Sequence, residues 1–221
     1  MKVLVIAPHM DDEVLGCGGT IAKHVSIGDE VFVCFVAHRV YGHKFDEEKN
    51  KIERKCALDA KKILGYKKAD FLGLSDERLD VAIQDIIISL EKCVEDVRPD
   101  IVYINHGGDI NQDHRAVFQA AMVVLRSFAS PAVKRIISYE VPSSTEQSQF
   151  SSGQAFVPNY YVNIKKYLDK KTRAVKAYKT ELRRFPHPRS VEAIRALAMK
   201  RGAEVGLEAA EAFMLIREKL E

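Results

Sequence analysis

Apolar runs of strand length recur along the chain and alternate with amphipathic stretches of helical length. Residues 3–7, 31–37, 69–72 and 101–105 are apolar or β-branched and predict strands. Helices are predicted between them over residues 20–26, 50–64 (closed by Gly65) and 81–97 (stopped by Pro99). A further helix is expected over residues 113–128 and a strand over 134–140. Such alternation argues for βαβ units, hence an α/β protein whose twisted, mostly parallel sheet is flanked by helices on both faces.

The rhythm changes after Val141. Residues 142–152 are rich in Ser, Thr and Gln and predict a long surface loop. A short strand is expected over residues 160–164, then helices over 164–182 and 190–221, parted by Pro186-His187-Pro188. Ser190 is the expected N-cap of the last helix. The stripe Val205, Leu207, Ala210, Phe213, Met214, Ile216 fits the core face of a helix, which gives the fold a helical C-terminal extension. No internal repeat and no linker composition interrupts the chain, so residues 1–221 are expected to form one domain.

Composition narrows the function classes. With 221 residues, 47% of them apolar, the chain can bury a sizeable core. A net charge of +3, with Lys and Arg interspersed among Asp and Glu, does not point to nucleic acid. No apolar stretch approaches the roughly 20 residues that cross a bilayer, and the N-terminal run is expected to be a first strand rather than a leader. Cys17, Cys34, Cys56 and Cys93 form no C-x-x-C pair and are expected to be reduced and buried, which suits the cytoplasm.

Chemistry concentrates at the ends of two predicted strands. Pro8-His9-Met10-Asp11-Asp12-Glu13 follows the first, and Asp109-Ile110-Asn111-Gln112-Asp113-His114 follows the strand at 101–105. Carboxyl ends of strands are where an open parallel sheet builds its sites. A lone His-x-x-Asp is commonly a surface or capping pair. Two adjacent acids beside His9, joined by a distant Asp-His, favour a divalent cation, since crowded carboxylates need one. Two imidazoles and a carboxylate plus water match a catalytic zinc site, and Fe²⁺, Mn²⁺ or Co²⁺ suits the same donors. Spacing alone leaves open which of Asp11 and Asp12 ligates and which accepts a proton. Gly16-Cys17-Gly18-Gly19-Thr20 lacks the G-x-G-x-x-G spacing and the P-loop lysine. These glycines are expected to let the backbone pass beneath the metal and to start the first helix.

The two segments, with the glycine run, resemble the signatures of the PIG-L/LmbE superfamily of zinc-dependent N-acetylglucosaminyl deacetylases. Phe156-Val157-Pro158-Asn159-Tyr160-Tyr161-Val162 and His187-Pro188-Arg189-Ser190 resemble its bacterial and archaeal, chitobiose-type branch. The resemblance implies a Rossmann-like fold, Zn²⁺ on His9, Asp12 and His114, and Asp11 as general base. The implied reaction frees an amine and acetate from a small N-acetylated sugar of the GlcNAc type. Met10 stands where His-Pro-Asp-Asp has proline, and Asn111 where some relatives carry an oxyanion-binding histidine. Oxyanion stabilisation is thereby left among the zinc, Asn111 and His106. Arg54, His187 and Arg189 are candidate substrate contacts. Because relatives form hexamers, a homo-oligomer is implied, with His187 reaching either its own or a neighbouring site.

Two other readings compete. A receiver-like, Mg²⁺-binding phosphorylation module also pairs acids after its first strand, but Asp76 is poorly placed as acceptor and both histidines would be idle. A non-catalytic sugar- or nucleotide-binding Rossmann domain would have no use for the intact set His9, Asp11, Asp12 and His114. Selectivity among acetylated sugars is expected to lie in the loops at residues 40–47 and 142–153.

Overall fold

Residue by residue, β1 (Lys2–Ala7) shows why this sheet is a buried one. Val3 to Ala7 are inaccessible on both faces, so no polar alternation survives in the sequence. The structure, a computed structural model, describes residues 1–148 and 154–220. In it β1 lies between β2 (Glu30–His38) and β6 (Ile101–Asn105), both parallel to it. Outward from β2 comes β5 (Lys68–Ser75), and outward from β6 comes β7 (Arg135–Tyr139), again in parallel. The sheet order β5-β2-β1-β6-β7-β9-β8 is completed by β8 (Tyr160–Asn163) and β9 (Ala210–Glu218), with β9 antiparallel to both of its neighbours.

Each face carries its own core. On one, Val3, Val5 and Tyr103 pack with α1 (Asp12–Ser26), α2 (Glu47–Leu64), α5 (Leu168–Ala177) and α6 (Val191–Ala203). On the other, Leu4, Ile6 and Val102 meet α3 (Ile83–Val97) and α4 (Gln112–Val124). The chain winds outward from β1 through β2 and β5, then crosses back to β6. That reversal opens a crevice at the carboxyl ends of β1 and β6, where doubly wound folds bind ligands.

Most expected elements are present, with instructive differences. The first helix begins at Asp12, eight residues before the expected start, so the glycine run lies inside it. Glycine costs about 1 kcal/mol per helical position, and close tertiary packing overrides that preference here. Gly65 closes α2 in the left-handed conformation, and the Ser190 hydroxyl caps α6, both as expected. A two-stranded ribbon of β3 (Val40–Tyr41) and β4 (Lys44–Phe45) occupies part of the loop at 40–47.

The C-terminal region corrects the sequence reading. The helix expected over 190–221 ends at Ala203, Gly206 turns the chain at φ 71°, and residues 210–218 form β9. Ala, Leu, Met and Glu are good helix formers, which made the 3–4 spacing persuasive. Pairing on both edges with β7 and β8 decides the outcome instead. The expected loop at 142–152 is described only to residue 148; Ser144 and Thr145 in it are buried rather than on the surface. Among the described residues, no helix is long and apolar enough to cross a membrane. All four cysteines are free and buried.

Candidate metal centre

Two strand-to-helix turns build the centre. After β1, residues 8–11 turn sharply into α1, and Asp11 caps that helix at φ 122°, outside the range most side chains tolerate. The Asp11 carbonyl accepts the N–H of Val14 (3.1 Å) and Leu15 (3.0 Å), while Oδ2 of Asp12 accepts the N–H of His9 at 2.8 Å. After β6, Asn111 caps α4 by accepting the N–H of Asp113 at 2.8 Å. The two turns bring His9 and His114, 105 positions apart, to a ring separation of 5.2 Å.

Three donor atoms form a near-equilateral triangle. Nδ1 of His9 lies 3.4 Å from Oδ2 of Asp12 and 3.3 Å from Nε2 of His114; the third edge, Nε2 of His114 to Oδ2 of Asp12, is 3.3 Å. Donors about 2.0–2.1 Å from a tetrahedral ion stand about 3.3–3.4 Å apart. All three residues are buried. The triangle therefore fits a small divalent cation, which Asp12 and the two imidazoles could hold.

Further carboxylates stand behind the two imidazoles, and His9, Asp76 and Asp113 also lie close enough together to hold an ion. Nε2 of His9 lies 3.0 Å from Oδ1 of Asp76 and 3.2 Å from Oδ2 of Asp113. Asp113 is itself fixed by the backbone N–H of Glu77 (2.7 Å) and of Leu79 (3.1 Å). Nδ1 of His114 stands 3.1 Å from Oδ2 of Asp109, though not aligned as a full hydrogen bond. Asp109 accepts hydrogen bonds from the Thr145 hydroxyl at 2.7 Å, the Ser144 hydroxyl and the Asn111 N–H at 2.9 Å. Carboxylates behind metal-ligating histidines fix tautomer and ring orientation.

Asp11 stands beside the triangle and belongs to a different network. Its Oδ2 lies 3.2 Å from the Arg189 guanidinium, which also donates to Glu181 (2.7 Å) and to the Ser143 hydroxyl (2.7 Å). Glu181 in turn faces Arg39 at 3.2 Å, and Arg39 approaches Asp76 at 3.8 Å. Burial pushes the Asp11 carboxyl up to about 7, against the pull of Arg189. Burial likewise raises Glu13 to about 8, opposed by its hydrogen bond from Tyr178. Burial works the other way on His114, yet Asp12 and Asp109 outweigh it and hold the imidazole at about 9. His9 is raised for the same reason, by Asp113, Asp12 and Asp76 against burial. For Asp12 burial again opposes the shift, but His114 and His9 hold its carboxyl well below the usual range.

The remaining expected site residues separate. Arg189 is drawn in. Arg54 is exposed and lays its guanidinium over the Phe71 ring at 4.5 Å, while its neighbour Glu53 turns inward. His187 is exposed in the turn before α6, accepting the Arg189 N–H at 3.1 Å. His106 faces away toward Gln154, whose carbonyl is 2.8 Å from Nε2, and the Phe156 ring. Asn111 is engaged as the cap of α4. Sequence reasoning gave no role to Arg39, Asp76, Asp109, Asp113, Ser144, Thr145 or Glu181. Asp109 and Asp113 lay inside the second motif, where an acid beside a ligand histidine was the available signal. Asp76, judged misplaced for a phosphoryl acceptor, stands against His9 because β5 ends at the same sheet edge.

A doubly wound α/β protein with a buried two-histidine, one-aspartate ligand set at its switch point is the class that fold and centre define. The chain belongs to the PIG-L family, described as GlcNAc-PI de-N-acetylase, whose model matches residues 4–125. It is 30% identical over 184 residues to the uncharacterized deacetylase YaiS of Escherichia coli K12, covering 80% of this chain and 90% of that one. It is 27% identical over 195 residues to the diacetylchitobiose deacetylase of Thermococcus kodakarensis, covering 81% and 70% of the two chains. Among solved structures, the conserved protein TT1542 of Thermus thermophilus superposes with a TM-score of 0.78 at 27% identity, covering 99% and 96%.

Proposed function

We propose that this protein is a zinc-dependent hydrolase that removes the N-acetyl group from a small GlcNAc-containing molecule, giving the free amine and acetate. Family membership and the names of the relatives support the reaction and the substrate class. One observation of the structure carries it: a ligand triangle with 3.3–3.4 Å edges, and a carboxylate, Asp11, next to it but outside it. A binding module has no use for that spare acid. A phosphorylation module would leave the paired histidines unexplained.

His9, Asp12 and His114 would hold the ion. Zn²⁺ bound there supplies Lewis acidity, which polarises an amide carbonyl and makes water a better acid. Asp11 takes the proton from the attacking water and passes it to the departing nitrogen, so one carboxyl serves as base and then as acid. The backbone at φ 122° and the Arg189 contact fix where its side chain stands. Arg189 and Arg39, bracing Glu181 and Asp76, supply the polar wall against which a sugar's hydroxyls dock. Asn111 lines a cavity with Asp76 and Asp113, and with the ion it remains a candidate to meet the oxyanion.

The test is acetate release from GlcNAc, N,N′-diacetylchitobiose and other N-acetylated sugars, after chelation and again after adding Zn²⁺, Co²⁺, Mn²⁺ or Fe²⁺. Release should vanish on chelation and return with one of these ions. A metal-loaded protein that freed acetate from none of the panel would overturn the proposal.

A further inference from the structure

Helix α1 receives a buried ion pair in its middle. The Glu211 carboxylate, from β9, accepts the backbone N–H of Gly19 (2.8 Å) and of Thr20 (2.7 Å). Nζ of Lys171, from α5, donates to the carbonyl of Leu15 (2.8 Å) and to Oε1 of Glu211 (2.6 Å). Both side chains are at most 5% exposed. In a plain helix the Gly19 N–H and the Leu15 carbonyl serve each other. Here a carboxylate and an ammonium also engage those two groups.

The glycine run is what admits the pair. A Cβ at Gly18 would stand 3.1 Å from Cγ of Lys171, and one at Gly19 only 2.7 Å from the Ile164 side chain. One turn earlier, a Cβ at Gly16 would fall 2.2 Å from the Tyr139 ring. The motif that phosphate binding failed to explain is thus a gap through which α5 and β9 reach the helix backbone.

A short path leads from the pair to the acidic turn. Lys171 holds the carbonyl of Leu15, and the N–H of Leu15 donates to the carbonyl of Asp11 at 3.0 Å. Asp12 is the first residue of that same turn. Buried ion pairs contribute little net stability, and apolar pairs of like volume often replace them without loss. A purely structural role is therefore a poor account of this one.

We propose that Lys171 and Glu211 are positioning residues: they clamp α1 at Leu15, Gly19 and Thr20 and so set where Asp12 enters the ligand triangle and where Asp11 stands beside it. The inference rests on the reading of that triangle as a metal centre. Its test uses the full-length chain, metal-free and then titrated with Co²⁺, with affinity read by competition with a chromophoric chelator and geometry by the visible absorption of the bound ion. The double variant Lys171→Met/Glu211→Leu leaves no unpaired buried charge, whereas Glu211→Gln keeps the side-chain shape and one accepting oxygen but leaves the Lys171 charge without its partner. Expected are a Co²⁺ affinity at least ten-fold weaker with an altered visible band in the double variant, and an intermediate loss in E211Q. Wild-type affinity and spectrum in both variants would overturn the inference, whatever happens to Tm; if the double variant does not fold, E211Q decides by the same criteria. A wild-type chain that bound no Co²⁺ would overturn the metal centre itself, and the inference with it.

Discussion

Oδ2 of Asp113 stands 3.2 Å from Nε2 of His9, on the side of the ring away from Asp12 and His114. With an ion held at Nδ1, this contact would keep the proton on Nε2 and the Nδ1 lone pair turned to the metal. Removing such an outer carboxylate typically weakens metal binding 10–100-fold. Asp113→Ala should therefore lose about ten-fold or more in Zn²⁺ affinity, measured by competition with a chromophoric chelator. An unchanged Kd would assign the orienting role to Asp76 alone.

Asp11 and Asp12 are adjacent in sequence and, in the proposed reaction, divided in task. Asp12 completes the triangle, whereas Asp11 faces Arg189. General acid–base groups contribute about 10²–10⁴-fold to rate. Asp11→Asn should lower kcat for acetate release by about that factor while bound metal, measured by elemental analysis, stays at the wild-type ratio. Parallel loss of metal and turnover would mean that the two roles are exchanged.

An ion that binds only the folded chain stabilises it by mass action. Zn²⁺ at a hundred times its Kd contributes about 2.7 kcal/mol. For a chain of this length each kcal/mol moves Tm by about 2–4 °C, so the metal-loaded protein should melt roughly 5–11 °C above the chelated one. His114→Ala should abolish that difference. A shift that survives the substitution would place the ion elsewhere.

Far from the centre, His24 links the sheet to the chain's amino end. Its ring lies between the Tyr103 hydroxyl (3.0 Å) and Asp29 (2.7 Å), and Asp29 also binds the terminal ammonium at 2.6 Å. Burial lowers the imidazole from its ordinary 6.5, with Asp29 opposing. A depressed folded-state value means that the unfolded chain takes up the proton first. The contribution of His24 to stability is thus present above pH 6.5 and is lost as pH falls through the lower folded value. Tm followed from pH 7.5 down to 5 should fall less steeply in His24→Gln than in wild type; equal slopes would remove His24 from the acid response.

How far the sequence reveals the molecule depends on what each residue answers to. That His9, Asp12 and His114 come together was legible because ligand chemistry restricts residue type and because both motifs follow apolar strands. Arg189 was legible through a short motif, but Arg39, Asp76 and Glu181 sit on separate elements, and only the folded sheet edge unites them. The parallel strands announced themselves as unbroken apolar runs, as in Val3 to Ala7. For residues 210–218 local propensity and tertiary pairing disagree, and pairing prevails. The early start of α1 was hidden for a related reason, since Gly16, Gly18 and Gly19 look like loop residues until their neighbours are known.

Phe213 offers a direct test of that last strand. It is fully buried, edge-on to Tyr103 with ring centroids 5.3 Å apart and to Tyr160 at 6.3 Å, and its strand is paired on both sides. Truncating a fully buried phenylalanine costs about 3–5 kcal/mol, from lost transfer free energy and the cavity left behind. Ile216, three residues on, is 37% exposed and should cost under about 1 kcal/mol when cut to alanine. In a helix, residues 213 and 216 would share a face and respond alike; in the observed strand they lie on opposite faces. Urea unfolding of Phe213→Ala and Ile216→Ala should therefore give clearly unequal losses, and similar losses would contradict β9.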